Sequence, residues 1–190
     1  MTRPVRIVAL LVVSVLALTE SPAGATSPPT KFAFAGASSK PGWEVVNDGV
    51  MGGVSSSKVA TSSGVLQWSG RVRLENNGGF ASTRSPAINK ATNSALAAGT
   101  SIRLRLRGTA TSFNVTLQAA GTWFWAEVTP SPTTWTTIDI PYARFLPRTR
   151  FGERINGAEY GGQPLTNIGV LISNGRAEAF RLDIDSIATW

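Results

Sequence analysis

The sequence predicts an all-β protein that folds as an antiparallel β-sandwich. Short segments in which apolar and polar residues alternate recur along the chain from Trp43 onward, and such alternation places the two sets of side chains on opposite faces of a strand. Clusters of Gly, Asn, Pro and Ser separate these segments. Many short strands without long intervening helices are typical of a sandwich.

The segments with the strand pattern are all short and show no fixed repeat. They are residues 65–68, 72–74, 102–107, 113–118, 123–128, 168–172 and 180–187. One stretch, residues 88–98, resembles a helix in composition but lacks the apolar stripe that packs a helix against a core. We therefore predict that residues 42–190 form a single β-sandwich domain.

The amino-terminal residues have the three-part pattern of a secretory signal. Residues 1–6 are basic, residues 7–18 are almost entirely apolar, and residues 23–25 are a small-residue cleavage site. As a helix the apolar run is about 18 Å long, whereas the hydrocarbon core of a membrane is roughly 30 Å thick. We therefore expect cleavage after Ala25 and no transmembrane segment in the mature chain.

The signal pattern predicts export, and the composition of the residues after it predicts a linker. Residues 1–25 are the predicted signal peptide, and the protein is expected to be periplasmic or secreted. Residues 26–41 are rich in Ser, Pro, Ala and Lys, which predicts a linker with a short apolar anchor at Phe32 and Phe34.

The composition restricts the chemistry that the protein can perform. The chain has no cysteine and no histidine, so the usual general base and the commonest transition-metal ligand are missing. We therefore expect a non-enzymatic protein without catalytic residues, cofactor or metal. The formal net charge of +7 favours anionic neighbours. Because the arginines are dispersed along the chain, a nucleic-acid partner is not favoured.

Three predicted strands suggest a recognition surface. If 102–107, 113–118 and 123–128 form a meander, their apolar side chains line the core together and their other side chains share the opposite face. That face would consist of Arg103, Arg105, Arg107, Asn114, Thr116, Gln118, Trp123, Trp125 and Glu127. One interpretation is a shallow ligand face with aromatic platforms for a sugar or peptide. Two alternatives remain open: arginines that only stack on the tryptophans of an outer surface, or a third strand turned over so that its tryptophans join the core.

Residues 47–53, NDGVMGG, form the densest glycine motif of the chain. They do not form a phosphate-binding loop, because Lys58 follows a serine instead of a glycine and no helix pattern comes next. We expect Asn47 and Asp48 to cap a turn. We also expect a positive φ at Gly49, with Val50 and Met51 entering the core.

Gly52 and Gly53 complete this motif. Glycines at these positions allow the backbone to reverse where a Cβ atom would collide. The whole segment is predicted to fold over the edge of the sandwich and to fix the strand register.

Several sequence blocks resemble the complex I intermediate-associated protein 30 family. They are residues 43–55 (WEVVNDGVMGGVS), 76–83 (NNGGFAST) and 135–145 (WTTIDIPYARF), followed by 168–172 and 180–184. The resemblance extends from about residue 42 to residue 188. It implies a jelly-roll sandwich like that of galactose-binding domains, related in shape to some carbohydrate-binding modules, and it implies no catalytic residues.

The resemblance also implies roles for particular residues and partners. The motif residues with an implied structural role are Trp43, Asn47, Asp48, Gly49, Met51, Gly52, Gly53, Ser55, Asn77, Gly78, Gly79 and Phe80. The best-known members of the family are assembly chaperones of respiratory complex I. A protein client is therefore the first expected partner, and a glycan of the cell envelope is the alternative.

Two charged groups allow two interpretations each. Arg144, Arg148, Arg150 and Arg154 crowd one connection between strands, which is either a basic loop for an acidic partner or a solvated connection. Asp183 and Asp185 share one face of the last predicted strand. For these two carboxylates we favour pairing with neighbouring arginines over a calcium site.

Overall fold

A computed structural model describes the backbone of Lys31–Phe32 and all of residues 42–190. The predicted signal peptide and most of the predicted linker, including Phe34, lie outside the described residues. Lys31–Phe32 pairs with the last strand of the chain. Within the described ranges the chain forms two six-stranded sheets, with every pairing antiparallel, which confirms the predicted all-β fold.

Twelve strands and one α-helix are present in the described residues. The strands are β1 (Lys31–Phe32), β2 (Glu44–Asn47), β3 (Ser56–Ser62), β4 (Val65–Arg71), β5 (Ala81–Arg84), β6 (Ser101–Gly108), β7 (Phe113–Ala119), β8 (Thr122–Val128), β9 (Thr136–Pro141), β10 (Leu146–Arg148), β11 (Leu165–Ile172) and β12 (Ala179–Thr189). The α-helix is α1 (Lys90–Ala98), and 3₁₀ turns occupy Asp48–Met51, Glu75–Asn77 and Tyr142–Arg144.

The strands are divided between two sheets. In the sheet that we call the back sheet the order is β3-β4-β12-β6-β9, with β1 paired to β12. In the front sheet the order is β10-β8-β7-β11-β5-β2. Because β2 is one edge of the front sheet and β3 is one edge of the back sheet, the NDGVMGG segment crosses between two sheet edges.

The core lies between the two sheets and consists of the apolar side chains that alternation turns inward. Trp68 from the back sheet is fully buried and its ring lies 4.5 Å from that of Phe180 and 6.1 Å from that of Phe113. Leu104 and Leu117, from opposite sheets, are also fully buried. Aromatic rings from both sheets therefore interlock, which suits a protein that has no disulfide.

The helix α1 contributes little to this core. Asn89 caps it, because the Asn89 side chain accepts a hydrogen bond of 2.9 Å from the Thr92 amide. Leu96 is its one buried residue. The Asn93 side chain ties the helix to β11 through hydrogen bonds to the backbone of Leu165. A short helix held mainly by polar contacts agrees with the missing apolar stripe in the sequence.

The predicted three-stranded meander is wrong in one respect. β7 and β8 do form a hairpin, with Thr116 opposite Trp125 and Gln118 opposite Trp123. β6, however, lies in the back sheet between β12 and β9. The predicted nine-residue face is therefore divided between two opposite surfaces of the molecule, because residues 109–112 cross from one sheet to the other.

The three arginines of β6 face outward from the back sheet and are paired there. Arg103 binds Asp139 with two hydrogen bonds of 2.6 and 2.8 Å, and its guanidinium lies 3.8 Å from the ring centre of Trp190. Arg105 pairs with Asp185 at 3.2 Å. Hydrogen bonding to Arg103 holds the pKa of Asp139 below its usual value.

The buried carboxylate of Asp183 is the third acidic group that pairs with the arginines of β6. It pairs with Arg107 at 3.0 Å and with Arg181 at 2.8 Å. Both Arg105 and Arg107 also lie over the ring of Trp135. Pairing of Asp183 and Asp185 with arginines is therefore confirmed. The predicted stacking of these arginines occurs on Trp135 and Trp190 instead of on Trp123 and Trp125.

Candidate functional site

A groove runs across the outer face of the front sheet. Its cavity volume is about 530 Å³, which is within the range of small-molecule sites. Alternation in β7 and β8 explains why the groove lies here, because Phe124, Ala126 and Val128 turn inward and are buried, so that Trp123 and Trp125 turn outward. The alternative in which these tryptophans join the core is wrong.

The groove has two walls and a floor, which come from different parts of the front sheet. The first wall, at the β2 edge, consists of Val46, Val50, Met51 and Phe80; the second wall, at the β8 side, consists of Trp123, Trp125, Arg150 and Phe151; the floor, from the central strands and the residue after β11, consists of Ser82, Thr83, Arg84, Thr116, Leu171 and Ser173.

The first wall contains exposed apolar side chains. Val50 is 72% exposed and Met51 is 47% exposed, so the prediction that they enter the core is wrong. They lie in the 3₁₀ turn Asp48–Met51, which projects from the edge of the front sheet. The turn directs the polar residue Asp48 inward and the two apolar residues outward, which reverses the usual preference.

The Asp48 cluster, formed by Asp48, Ser55, Gly79 and Phe80, explains this reversal. The Asp48 carboxylate is fully buried. It accepts hydrogen bonds from the Ser55 amide at 2.8 Å and the Ser55 hydroxyl at 2.5 Å. It also accepts bonds from the amides of Gly79 at 2.7 Å and Phe80 at 3.3 Å. Four donors from two separate segments therefore converge on one carboxylate.

These hydrogen bonds decide the charge of Asp48. Burial by itself would raise the pKa of this carboxyl group, but the bonds from Ser55, Gly79 and Phe80 favour the ionised form more strongly. The pKa of Asp48 consequently lies below its usual value. The first wall is thus attached to the sandwich by a buried, ionised and fully hydrogen-bonded side chain.

Two glycines of the motif are required by this geometry. A Cβ atom at Gly53 would overlap the Asp48 carboxyl group. Gly52 has φ of +91° and ends the 3₁₀ turn, in a region that favours glycine. Gly49, in contrast, does not have a positive φ, so that prediction is wrong. Asn47 precedes the 3₁₀ turn, but its side chain makes no capping hydrogen bond and instead accepts one from the Ser57 hydroxyl at 2.8 Å, so the predicted cap by Asn47 is wrong.

The second wall is built around Trp125. The guanidinium of Arg148 lies 5.6 Å from the Trp125 ring centre and donates a hydrogen bond of 2.7 Å to the Gly152 carbonyl. Gly152 approaches the ring so closely that a Cβ atom there would lie 2.6 Å from Trp125. The loop that follows β10 is therefore fastened to Trp125, and it carries Phe151, which is 59% exposed.

Most polar side chains of the floor already have partners. The Ser82 hydroxyl donates to the Val46 carbonyl at 2.6 Å, and the Thr83 hydroxyl donates to the Glu44 carbonyl at 3.0 Å. Arg84 pairs with Glu44 at 2.8 Å. These bonds hold β2 against β5 and leave the floor with few uncommitted hydrogen-bonding groups.

The structure brings together only part of the predicted face. Thr116, Trp123 and Trp125 line the groove. The other three residues predicted from β7 and β8 lie on the same face outside its lining, and Gln118 accepts a hydrogen bond from Asn167 at 3.0 Å. Sequence reasoning missed Phe151 and assigned Val50 and Met51 to the core. The residues of the turn by themselves carry no signal of this outward direction.

No set of three or more metal-binding acidic side chains occurs in the described residues. In the same part of the chain, no helix has the length and apolarity needed to cross a membrane.

The two antiparallel sheets form a jelly-roll β-sandwich with a fold like that of galactose-binding domains. The chain belongs to the Complex I intermediate-associated protein 30 family, whose model matches residues 32–184. Comparison with curated protein sequences finds no match.

Solved structures with the same fold include carbohydrate-binding modules. The Family 11 module of the cellulosomal cellulase Lic26A-Cel5E of Clostridium thermocellum has a TM-score of 0.58 at 15% identity, covering 87% of this chain and 96% of that one. The Family 11 module from the same organism in complex with a β-1,3-1,4-mixed-linked tetrasaccharide has a TM-score of 0.52 at 16% identity, covering 78% and 88%. An agarase, AgWH50C, gives 0.56 at 12% identity, covering 86% of this chain and 26% of that one. At these identities the likeness shows the fold alone.

We predict that Gly52→Val lowers the melting temperature by roughly 3–8 °C, because a β-branched residue with positive φ costs about 1–3 kcal/mol. Thermal melting followed by circular dichroism measures this change, and the far-UV spectrum at room temperature should remain that of a β protein. Gly49→Ala is the control, because Gly49 lacks a positive φ and has open space around its Cβ direction. An unchanged melting temperature for Gly52→Val would contradict the proposed role of the turn.

We also predict that Asp48→Asn destabilises the protein by about 1–3 kcal/mol at neutral pH, since the amide cannot accept all the converging bonds. Because the pKa of Asp48 is lowered on folding, the stabilisation is fully present above the unfolded-state pKa of about 3.9 and is lost as the pH falls below it. Urea unfolding at pH 6 and pH 3 should therefore show a smaller difference between the two proteins at pH 3. A difference independent of pH would contradict this explanation.

Proposed function

We propose that the protein is a non-catalytic binding domain that acts in protein assembly or chaperoning, by holding an apolar segment of a partner protein in the groove. The observation that carries this proposal is the exposure of apolar side chains on both walls, with Val50 at 72% and Phe151 at 59%. Burying such surface releases about 25 cal/mol per Å². Contiguous exposed apolar surface of this kind is typical of interaction sites.

The polar groups of the groove favour a protein segment over a sugar. A saccharide is held by many hydrogen bonds to its hydroxyls, yet the side chains of Ser82, Thr83 and Arg84 are already bonded to β2. Among the described lining residues, Thr116, Ser173, Arg150 and the two tryptophans have polar groups without a hydrogen-bond or ion-pair partner, and the Nε1 atom of Trp125 is buried. A mainly apolar groove with few free polar groups matches an apolar side chain on a polypeptide backbone.

The attachment of the walls supports binding with little rearrangement. The first wall is fixed through the Asp48 cluster, and the second is fixed through Trp125 and Gly152. Since neither wall has to be ordered when a partner arrives, less conformational entropy is lost on association. Membership of the complex I intermediate-associated protein 30 family supports an assembly role at the level of the family.

We further propose that this role is carried out after export. Residues 1–25 have the basic, apolar and small-residue pattern of a secretory signal. The partner protein would then be a protein of the periplasm or the cell exterior.

The proposal is tested with an array of random 12-residue peptides probed with the tagged protein. We expect retention on peptides rich in Leu, Ile and Phe. The double variant Val50→Ser, Phe151→Ser should reduce the bound signal by at least about five-fold, because it removes apolar contact from both walls.

Val54→Ser is the matched control. Val54 is 46% exposed in the segment that follows the turn, but it does not line the groove, so the bound signal should be unchanged. An equal loss in this variant, or binding without enrichment of apolar peptides, would contradict the proposal.

A glycan is the second candidate occupant, and it is favoured by Trp123 and Trp125 on the second wall. Indole rings provide apolar platforms for sugar faces. The related fold of a module solved with a mixed-linked tetrasaccharide is compatible with this use of the sheet face.

Under this second candidate, titration with cell-wall oligosaccharides, including the β-1,3-1,4-mixed-linked tetrasaccharide, should quench tryptophan fluorescence. Trp125→Ala should abolish the quench while thermal melting verifies that the variant is folded. If the quench is absent at millimolar sugar, the glycan candidate is rejected. Binding to apolar peptides does not depend on that result.

A further inference from the structure

We propose that Arg150 makes the groove selective for partner segments that carry a carboxylate beside the apolar side chain. This inference rests on the proposed function and specifies the chemistry of the segment. Arg150 lines the second wall next to Phe151, so a group bound against Phe151 lies beside its guanidinium.

Arg150 is oriented but unpaired. Its guanidinium carbon lies 4.5 Å from the ring centre of Phe151, and the residue is exposed. Within the part of the chain that the structure describes, Arg150 forms no ion pair. Arg84, the other arginine of the groove, is paired with Glu44 at 2.8 Å, so that Arg150 is the cation left available to a ligand.

The neighbouring charged groups leave this cation uncompensated. Arg148 is directed at the Gly152 carbonyl and lies over Trp125. Glu127, on the outer face of β8, does not line the groove. Glu153, in the same loop as Arg150, makes no ion pair among the described residues. The local surplus of positive charge therefore agrees in sign with the net charge of +7.

The guanidinium chemistry selects a carboxylate. An arginine that stacks on an aromatic ring keeps its N–H edge free, and this planar edge matches the two oxygens of a carboxylate. A partner segment whose apolar side chain contacts Phe151 and Trp125 can place an adjacent Asp or Glu against that edge. Long-range attraction between the basic protein and an acidic segment adds to the rate of association.

The experiment uses two fluorescein-labelled peptides with the same apolar centre, Gly-Asp-Leu-Phe-Leu-Asp-Gly and Gly-Asn-Leu-Phe-Leu-Asn-Gly, and the full-length protein. Fluorescence anisotropy measures both dissociation constants at 50 mM and 500 mM salt. We expect the Asp peptide to bind about two- to five-fold more tightly at low salt, as for an exposed ion pair, and to lose that preference at high salt.

Arg150→Gln should abolish the preference for the Asp peptide, so that the variant binds the two peptides with equal affinity. Arg144→Gln is the matched control, because it removes the same charge. Arg144 is an exposed arginine near the loop, but it does not line the groove. Equal affinity of the wild-type protein for both peptides, or an equal effect of Arg144→Gln, overturns this inference alone. Failure of both peptides to bind overturns it together with the proposed function.

Discussion

The structure of the candidate site depends on one buried carboxylate. Taking an ionised carboxylate out of water costs several kcal/mol unless hydrogen bonds replace its hydration. Asp48 receives four such bonds, and three of the donors are backbone amides. Backbone donors reach a buried side chain only where the chain approaches it closely, so glycine at position 53 follows from this requirement. The two glycine-containing segments, residues 47–53 and 76–80, are thus parts of one hydrogen-bonded unit.

In this turn, the residue that attaches the segment to the sandwich is different from the residues that form its exposed surface. In an ordinary turn next to a sheet, the apolar residues would face the core and provide the attachment. Here the carboxylate provides it, so that Val50 and Met51 are free to face the groove. The same separation occurs on the second wall, where the fit of Gly152 against Trp125 holds the loop that carries Phe151. Both walls therefore expose apolar side chains, while other residues attach them to the sandwich.

Features that depend on residues close in the sequence could be predicted, whereas features that depend on contacts between distant residues could not. Alternation placed Trp123 and Trp125 on the outer side of a β7–β8 hairpin, because the pairing of neighbouring strands follows from a short turn. It also placed Asp183 and Asp185 on one face of the last strand, where both pair with arginines. Alternation cannot reveal which sheet a strand joins, so β6 was assigned to the wrong surface. The outward direction of Val50 depends on donors near residues 55 and 79–80, and no pattern within the turn itself contains that information.

The distribution of charge gives the two sheet faces different roles. On the back sheet Arg103, Arg105 and Arg107 are matched by three aspartates and two tryptophans, so these three guanidinium groups are engaged within the protein. Beside the groove, in contrast, Arg150 has no acidic partner among the described residues, and apolar side chains surround it. A net positive charge alone would suggest general attraction to anions. Because Arg150 lies beside exposed apolar side chains, recognition by the front sheet is expected to require both features in the same ligand.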